Sequence, residues 1–182
     1  MLFTDADLIA RVLSQGDKNA FGELVRRYQS PVRSFLTRMT NGDSHLADDL
    51  AQEAFLKAWQ KLATFRGEAR FSSWLFGIAM NEFRSAARRR KELPWAETGE
   101  LPLEESITMR DHPLCMDLTE ALQRVTVNER AAILLCCQNG LSHEEAAGVL
   151  ACPLGTVKTN VLRGKEKLRK YLTPVYHNYE PA

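Results

Sequence analysis

The chain has 182 residues, of which 45% are hydrophobic and 26% are charged, a composition that suits one or two folded domains and excludes a wholly disordered chain. No run of about 18 apolar residues occurs, so we expect no membrane-spanning helix. The first residues lack the basic segment and apolar core of a secretory signal, and we therefore expect a cytoplasmic protein.

Charge is unevenly distributed along the chain, although the formal net charge is only +1. Residues 1–93 include 15 basic and 11 acidic residues. Residues 94–114 include one basic and five acidic residues, and residues 156–170 include six basic residues and one acidic residue. Two basic segments therefore flank an acidic connector, and basic segments attract nucleic-acid phosphate. A merely solvated helix face is the alternative for either segment alone.

Helical periodicity dominates the first half of the chain, and strand signals are almost absent. An apolar stripe with three- and four-residue spacing predicts a helix that Pro31 kinks or splits. The predicted elements are, in order, a helix over 21–39, a turn with a cap at 41–44, a helix over 50–62, a loop at 66–68, and a helix from Ser72 or Ser73 to the basic residues ending at Lys91.

The second half predicts a further set of short helices after a linker. The predicted elements are a flexible acidic linker over 94–114, a helical pattern from Asp117, a capping box of Thr126 and Glu129, a helix over 130–138 whose Ile133, Leu134 and Leu135 face the next element, and a frayed tail from Thr173. We expect an all-α chain of two small helical domains, 1–93 and 115–172, joined by the linker and followed by a tail at 173–182.

Residues 140–159 predict a helix-turn-helix, in which the second helix enters the DNA major groove. The residues that define it are Gly140 as the end of the preceding helix, Ser142 and Glu145 as a capping box, Pro153 and Gly155 as the turn, and Thr156 as the cap of the second, basic helix. A helical hairpin that binds nothing is the alternative.

No catalytic or metal site is predicted, so we expect neither an enzyme nor a cofactor. The four histidines are scattered, and no serine or aspartate belongs to a nucleophile motif. The cysteines are Cys115, Cys136, Cys137 and Cys152. Adjacent helical side chains point about 100° apart and make a poor chelating pair. We expect buried, reduced core cysteines, with a redox or zinc sensor using Cys152 or His143 as the alternative.

Three motifs together resemble those of the extracytoplasmic-function (ECF) class of bacterial sigma factors. They run from Asp48 to Trp59, from Phe65 to Asn81 and from Gly140 to Lys158. The resemblance covers roughly 7–172, apart from the linker. It implies a stress-responsive factor for transcription initiation. The N-terminal domain would be region 2 and the C-terminal domain region 4.

The partners that the resemblance implies are core RNA polymerase, through its clamp helices and flap, promoter DNA in duplex and single-stranded form, and an anti-sigma factor. An anti-sigma factor could also hold the protein at the inner membrane. No small-molecule substrate is implied.

The first motif is the implied polymerase-binding surface. Its residues are Asp48, Asp49, Gln52, Glu53 and Phe55. Acidic and amide groups would pair with arginines of the polymerase, and the aromatic ring would be a buried anchor. A solvated helix face is the alternative from the residues alone.

The second motif and the helix after it are implied to recognise and open the −10 element. Its residues are Phe65, Arg66, Arg70, Phe71, Asn81, Arg84, Arg88 and Arg89. Aromatic rings beside basic residues are typical of single-stranded DNA sites. The loop at 65–71, with Asn81 nearby, would receive an unstacked base. We expect Trp74 and Phe76 to belong to the core.

The third motif is implied to read the −35 element. Its residues are Thr156, Lys158, Thr159, Asn160, Arg163 and Lys165, with Lys167 as a further phosphate contact. The sequence departs from the family pattern at Thr159, Asn160 and Gly164, and a glycine inside a helix costs about 1 kcal/mol relative to alanine. A repressor or activator that is not a polymerase subunit is the alternative function, and a helical adaptor with no DNA role is a third.

Overall fold

The computed structural model describes residues 3–91 and 113–177, and its regular elements there are helices without a β-strand. The all-α prediction is confirmed. The elements are α1 (Asp5–Gln15), α2 (Lys18–Met39), α3 (Ser44–Lys61), a 3-10 turn (Leu62–Thr64), α4 (Phe71–Lys91), α5 (Pro113–Gln123), α6 (Val127–Ile133), a π-helical turn (Leu134–Gln138), α7 (His143–Leu150) and α8 (Leu154–His177). None of the helices described is long and apolar enough to span a membrane.

The contacts divide the chain into two units. The first comprises Met1–Leu36 with Ser44–Gly99, and the second comprises Thr37–Asp43 with Glu100–Ala182. The predicted linker falls almost entirely outside the described residues, and α5 begins at Pro113, four residues before the predicted start. The boundaries at 1–93 and 115–172 stay a prediction.

Helix α2 supplies much of the first core. Four residues of its predicted apolar stripe are buried in this unit, namely Leu24, Val32, Phe35 and Leu36. The helix continues through Pro31, so of the predicted kink or split the split is wrong, and the kink stays a prediction. Proline removes one backbone hydrogen bond, and the apolar packing of residues on both sides of it offsets that loss.

Helices α3 and α4 pack together through small side chains. Ala47, Ala51, Ala54 and Ala58 of α3 are buried, which lets the two backbones approach closely. At the edge of this contact Lys57 Nζ donates to Glu82 Oε2 at 2.6 Å. The carboxylate is almost fully buried and the lysine is partly exposed, so the pair closes the α3–α4 contact towards solvent.

The second unit is built around the packing of α6 against α8. Thr126 and Glu129 form the predicted capping box at the start of α6. Gly164 of α8 lies where an added Cβ would overlap Cδ1 of Ile133 and approach Cβ of Glu129 to 3.3 Å. The glycine therefore permits the close approach of the two helices, which explains its departure from the family pattern.

Two predictions at the end of the second unit are wrong. Helix α8 continues to His177, so the frayed tail does not start at Thr173. Among the cysteines whose side chains the structure describes, Cys136 and Cys152 are free but only half-buried and Cys137 is free and exposed, so the expectation of buried core cysteines is wrong for these three. The π-helical turn that carries Cys136 and Cys137 places them at the end of the helix rather than in its buried middle.

Candidate DNA-binding and polymerase-binding surfaces

Helix α7 forms the first half of a helix-turn-helix. The Ser142 N–H donates to Glu145 Oε2 at 2.8 Å, and the Glu145 N–H donates to Ser142 Oγ at 3.1 Å. This reciprocal pair is the predicted capping box, and it satisfies two backbone donors at the helix start. Gly140 before it has φ of 67°, a left-handed conformation that ends the preceding helix, as predicted.

The turn between α7 and α8 differs from its prediction. Ala151 adopts the left-handed conformation with φ of 51° and ψ of 49°, and the Cys152 N–H donates to the Ala147 carbonyl at 3.2 Å. Gly155 and Thr156 lie inside the first turn of α8, so Gly155 does not make the turn and Thr156 is not the cap. Sequence signals missed this because a left-handed alanine is unfavourable by about 1–2 kcal/mol and seldom occurs.

Helix α8 has a buried side and an exposed side. Val157 and Val161 are buried in the unit's core. The predicted −35 residues Thr156, Lys158, Thr159, Arg163 and Lys165 are exposed, and Asn160 is half-buried. The exposed start of this helix can therefore offer hydroxyl, amide and ammonium groups to base edges and phosphates.

Two residues of α8 have surroundings that sequence reasoning missed. The Thr159 hydroxyl donates to the Gly155 carbonyl at 2.9 Å, which leaves its oxygen as an acceptor. Leu162 is 60% exposed, an apolar side chain on the polar face of the helix. Its spacing from Val161 could have shown this, since consecutive helical residues point about 100° apart.

Lys167 is exposed but is paired with Glu129 of α6, and its predicted phosphate contact stays a prediction. Its Nζ donates to both carboxylate oxygens of Glu129, at 2.8 and 2.9 Å. Burial raises the pKa of Glu129, but hydrogen bonds from Lys167 and Thr126 outweigh that effect and hold the pKa below its ordinary value. Lys167 therefore stabilises the α6–α8 packing.

An aromatic cluster lies behind the 65–70 loop in the first unit. The Phe65 ring centroid is 5.8 Å from that of Phe71 and 5.4 Å from that of Trp74. Phe71 is only 4% exposed, so the prediction that it contacts DNA directly is wrong. Phe65 and Trp74 are half-buried, whereas Phe76 belongs to the core as predicted. The loop thus rests on rings that are partly accessible.

The basic end of α4 presents a polar stripe. Asn81, Arg84 and Arg88 have the spacing of one helix face; Asn81, Arg88 and Arg89 are exposed, and Arg84 is half-buried. Arg66 and Arg70, in the loop, are exposed as well. Ten residues separate Phe71 from Asn81, about 15 Å along a helix axis. Asn81 therefore lies well along α4 from the start of the helix, and its predicted position near the 65–71 loop stays a prediction.

The predicted polymerase surface lies on α3. Asp49, Gln52 and Glu53 are exposed, and within the described ranges no ion pair engages the two carboxylates. Asp48 instead forms an ion pair with Arg33 of α2, with Nη2 and Oδ2 2.7 Å apart. The acidic groups most accessible to a partner are therefore those of Asp49 and Glu53.

The apolar centre of this surface is Leu56 rather than Phe55. Leu56 is 55% exposed, and Trp59 is also exposed, whereas Phe55 is half-buried. The ring of Trp59 contacts that of Phe21 at 5.0 Å, which fixes its position. Leu56 follows Asp49 by seven residues on the same helix face, a spacing that could have identified it. We call Asp49, Gln52, Glu53, Leu56 and Trp59 the α3 surface.

In the described part of the chain, no group of three or more histidine, cysteine, aspartate or glutamate side chains is arranged to hold a metal ion.

Two protein families match separate parts of the chain. Sigma-70 region 2 matches residues 24–92, and Sigma-70 region 4 matches residues 115–168. The first match contains the α3 surface and the 65–70 loop. The second contains the helix-turn-helix.

Curated relatives and a solved structure extend the likeness to most of the chain. The RNA polymerase sigma-H factor of Pseudomonas aeruginosa is 34% identical over 186 aligned positions, covering 94% of this chain and 95% of the relative. The ECF RNA polymerase sigma-E factor of Haemophilus influenzae is 32% identical, covering 94% and 97%. The sigma factor RpoE of Bartonella quintana, solved in complex with the anti-sigma factor NepR, is 29% identical and superposes with a TM-score of 0.75. The superposition covers 84% of this chain and 96% of the Bartonella chain.

The fold, the two regions and the relatives define a class of transcription initiation proteins. This chain belongs to the ECF RNA polymerase sigma factors, and the family resemblance inferred from the three motifs is confirmed. The findings favour this reading over a repressor or activator that is not a polymerase subunit.

Proposed function

We propose that this protein binds core RNA polymerase, directs it to specific promoters and helps to open the −10 element. The observation that carries the proposal is that one chain matches both sigma regions and that, in each, most of the side chains that promoter recognition would use are exposed or half-buried. Catalysis of RNA synthesis would belong to the polymerase, and this protein would act as its recognition subunit in the cytoplasm.

The α3 surface would bind the clamp helices of the polymerase. Asp49 and Glu53 would form charge-assisted hydrogen bonds with arginines of the partner. Leu56, on the same helix face about one turn beyond Glu53, would become buried, and an apolar anchor commonly carries much of the energy of an interface. Asp48 would contribute less because Arg33 already neutralises it.

The 65–70 loop and the basic end of α4 would handle the −10 element. The partly accessible rings of Phe65 and Trp74 would stack on an unstacked base, and Arg66 and Arg70 would contact the neighbouring backbone. The α4 face with Asn81 and Arg88 would lie along the adjoining duplex, with its arginines mainly on phosphates.

The start of α8 would read the −35 element in the major groove. Lys158, Thr159 and Asn160 would meet base edges, while Arg163 and Lys165 would contact phosphates. We also propose that an anti-sigma factor controls the protein by covering such surfaces, as the complex of the similar Bartonella factor with NepR suggests. An anti-sigma factor of that kind could hold the protein at the inner membrane.

Formation of a complex with core polymerase tests this function directly. We expect the full-length protein to co-elute with core polymerase in size-exclusion chromatography, and Asp49→Lys to weaken the complex. Lys61→Glu, a charge reversal of the same size and opposite sign at an exposed position of the same helix away from the α3 surface, is the control and should leave the complex intact. Tight binding to duplex DNA with no polymerase complex would support the repressor or activator class instead.

A further inference from the structure

The aromatic cluster behind the 65–70 loop includes one ring from α2, that of Tyr28. Its centroid lies 5.4 Å from that of Phe71 with an interplanar angle of 62°. Phe71 in turn contacts Phe65 and Trp74, with centroids 5.8 and 5.6 Å apart. The ring of Tyr28 therefore supports the buried Phe71, and Phe71 supports the two partly accessible rings.

The hydroxyl end of Tyr28 is held by α1. It donates to Oδ2 of Asp5, whose Oδ1 accepts from Arg27 Nη1 at 2.9 Å. Burial is the main cause that raises the pKa of Tyr28; the hydrogen bond to Asp5 adds to it, and the charges of Arg27 and Arg70 oppose it. The hydroxyl therefore stays a donor, and Arg70 of the loop is close enough to act on it electrostatically.

Helix α1 precedes the segment that matches Sigma-70 region 2, which begins at residue 24. Its start is fixed by the capping box of Thr4 and Asp7, and its Leu8, Ile9 and Val12 are buried. Asp5 is therefore presented from a helix anchored at its cap and along its apolar face. A carboxylate held in this way restricts the ring of Tyr28 more than one on a free terminus would.

We infer that Tyr28 is a positioning residue for base capture: fixed by Asp5, its ring sets the position of Phe71 and, through it, of the loop that receives the unstacked base. The inference rests on the proposed function of that loop. Recognition sites require their contacting groups to be held to within about 0.5 Å. Unstacking a base costs energy that the pocket must recover, so a displaced ring should reduce preference for the favoured base.

The test measures base preference in the complex of the full-length protein with core polymerase. The probes are fork-junction DNAs built from a promoter identified by run-off transcription, with each of the four bases in turn at each unpaired −10 position. The readout is the ratio of affinities for the preferred and the least preferred base. The variants are Tyr28→Ala, Tyr28→Phe and, as control, Phe35→Leu.

The control residue, Phe35, makes an aromatic contact like that of Tyr28 but lies outside the aromatic cluster behind the 65–70 loop. Phe35 contacts Phe76 edge to face at 5.4 Å in the core of the same unit. We expect Tyr28→Ala to lower the affinity ratio by about two- to tenfold, the range typical of one aromatic contact. Tyr28→Phe keeps the ring but loses the hydrogen bond, and should lower the ratio less. Phe35→Leu should reduce thermal stability and leave the ratio unchanged.

Each outcome separates this inference from the function on which it rests. If the unaltered protein discriminates between bases but Tyr28→Ala does not lower the ratio, or lowers it no more than Phe35→Leu does, the role of Tyr28 is overturned and base capture stands. If the unaltered protein shows no base preference at any unpaired position, base capture fails and the role of Tyr28 with it. Should Tyr28→Ala not fold, Tyr28→Phe decides: a lowered ratio supports the role, and an unchanged ratio overturns it.

Discussion

Replacing Gly164 by alanine should destabilise the second unit, although alanine is the better helix former. Alanine inside a helix gains about 1 kcal/mol over glycine. Its Cβ would overlap Cδ1 of Ile133 and lie 3.2 Å from Cγ1 of Ile133 and 3.3 Å from Cβ of Glu129. Overpacking of this kind costs about 1–3 kcal/mol. The net change should therefore be a loss of about 1 kcal/mol.

Gly148 provides the matched control for this substitution. It lies in helix α7 of the same unit, and an added Cβ would have no heavy atom within 4 Å. Gly148→Ala should therefore stabilise the unit by about 0.5–1 kcal/mol. The two glycine-to-alanine changes should differ by about 2 kcal/mol in the free energy of unfolding, with opposite signs.

Hydrogen exchange of the slowest amides in α6 and α8 measures this free energy within the intact chain. A loss of 1 kcal/mol should speed their exchange about fivefold. Ile133→Val removes Cδ1, so it should partly rescue Gly164→Ala, with a coupling of about 1 kcal/mol in a double-mutant cycle. Stabilisation by Gly164→Ala equal to that by Gly148→Ala, or strict additivity with Ile133→Val, would refute the close-packing explanation.

Three further predictions concern the surfaces and the buried ion pair. Leu56→Ser should weaken core-polymerase affinity at least as much as Asp49→Lys does, measured by pull-down at moderate salt; unchanged affinity for Leu56→Ser would return the anchor role to Phe55. Arg88→Ala should weaken promoter binding uniformly across sequences and reduce the slope of log affinity against log salt by about 1; a change of base preference instead would contradict a phosphate contact. The pKa of Glu129 is lowered in the folded state, so the ionised carboxylate stabilises the fold above the unfolded pKa of about 4.3, and this stabilisation is lost as the pH falls through the folded pKa. Thermal denaturation at a series of pH values should therefore show a smaller loss of stability in acid for Glu129→Gln than for the unaltered protein. The same pH profile for both proteins would disprove this role of Glu129.

The fold could be predicted from the sequence because its signals are local. Apolar periodicity identified the stripe of α2, and two capping boxes, at Thr126 and Ser142, gave helix starts that the structure reproduces. The turn of the helix-turn-helix could not be predicted in this way. Its left-handed residue is Ala151, and an alanine carries no signal in the sequence for that conformation, although the Cys152 N–H bond to the Ala147 carbonyl accompanies it in the structure.

The candidate surfaces were predicted in outline but not in their details. Composition and motifs identified α3, the 65–70 loop and α8, but they could not show which side chains are accessible. The burial of Phe71 and the bond between Lys167 and Glu129 are two such details. Both arise from contacts between helices that are distant in the sequence, and local sequence patterns do not show such contacts. Leu56 was missed because Phe55 is the larger apolar residue, although the helix turns Leu56 further towards solvent.

Run-off transcription with purified core polymerase on a fragmented genome of the source organism decides whether the protein acts as a sigma factor. We expect discrete transcripts that require this protein and that share two sequence elements upstream of their start points. Each transcript should weaken when Asp49→Lys replaces the unaltered protein. Association with duplex DNA but not with core polymerase, together with no transcript that depends on the protein, would show that it is not a sigma factor.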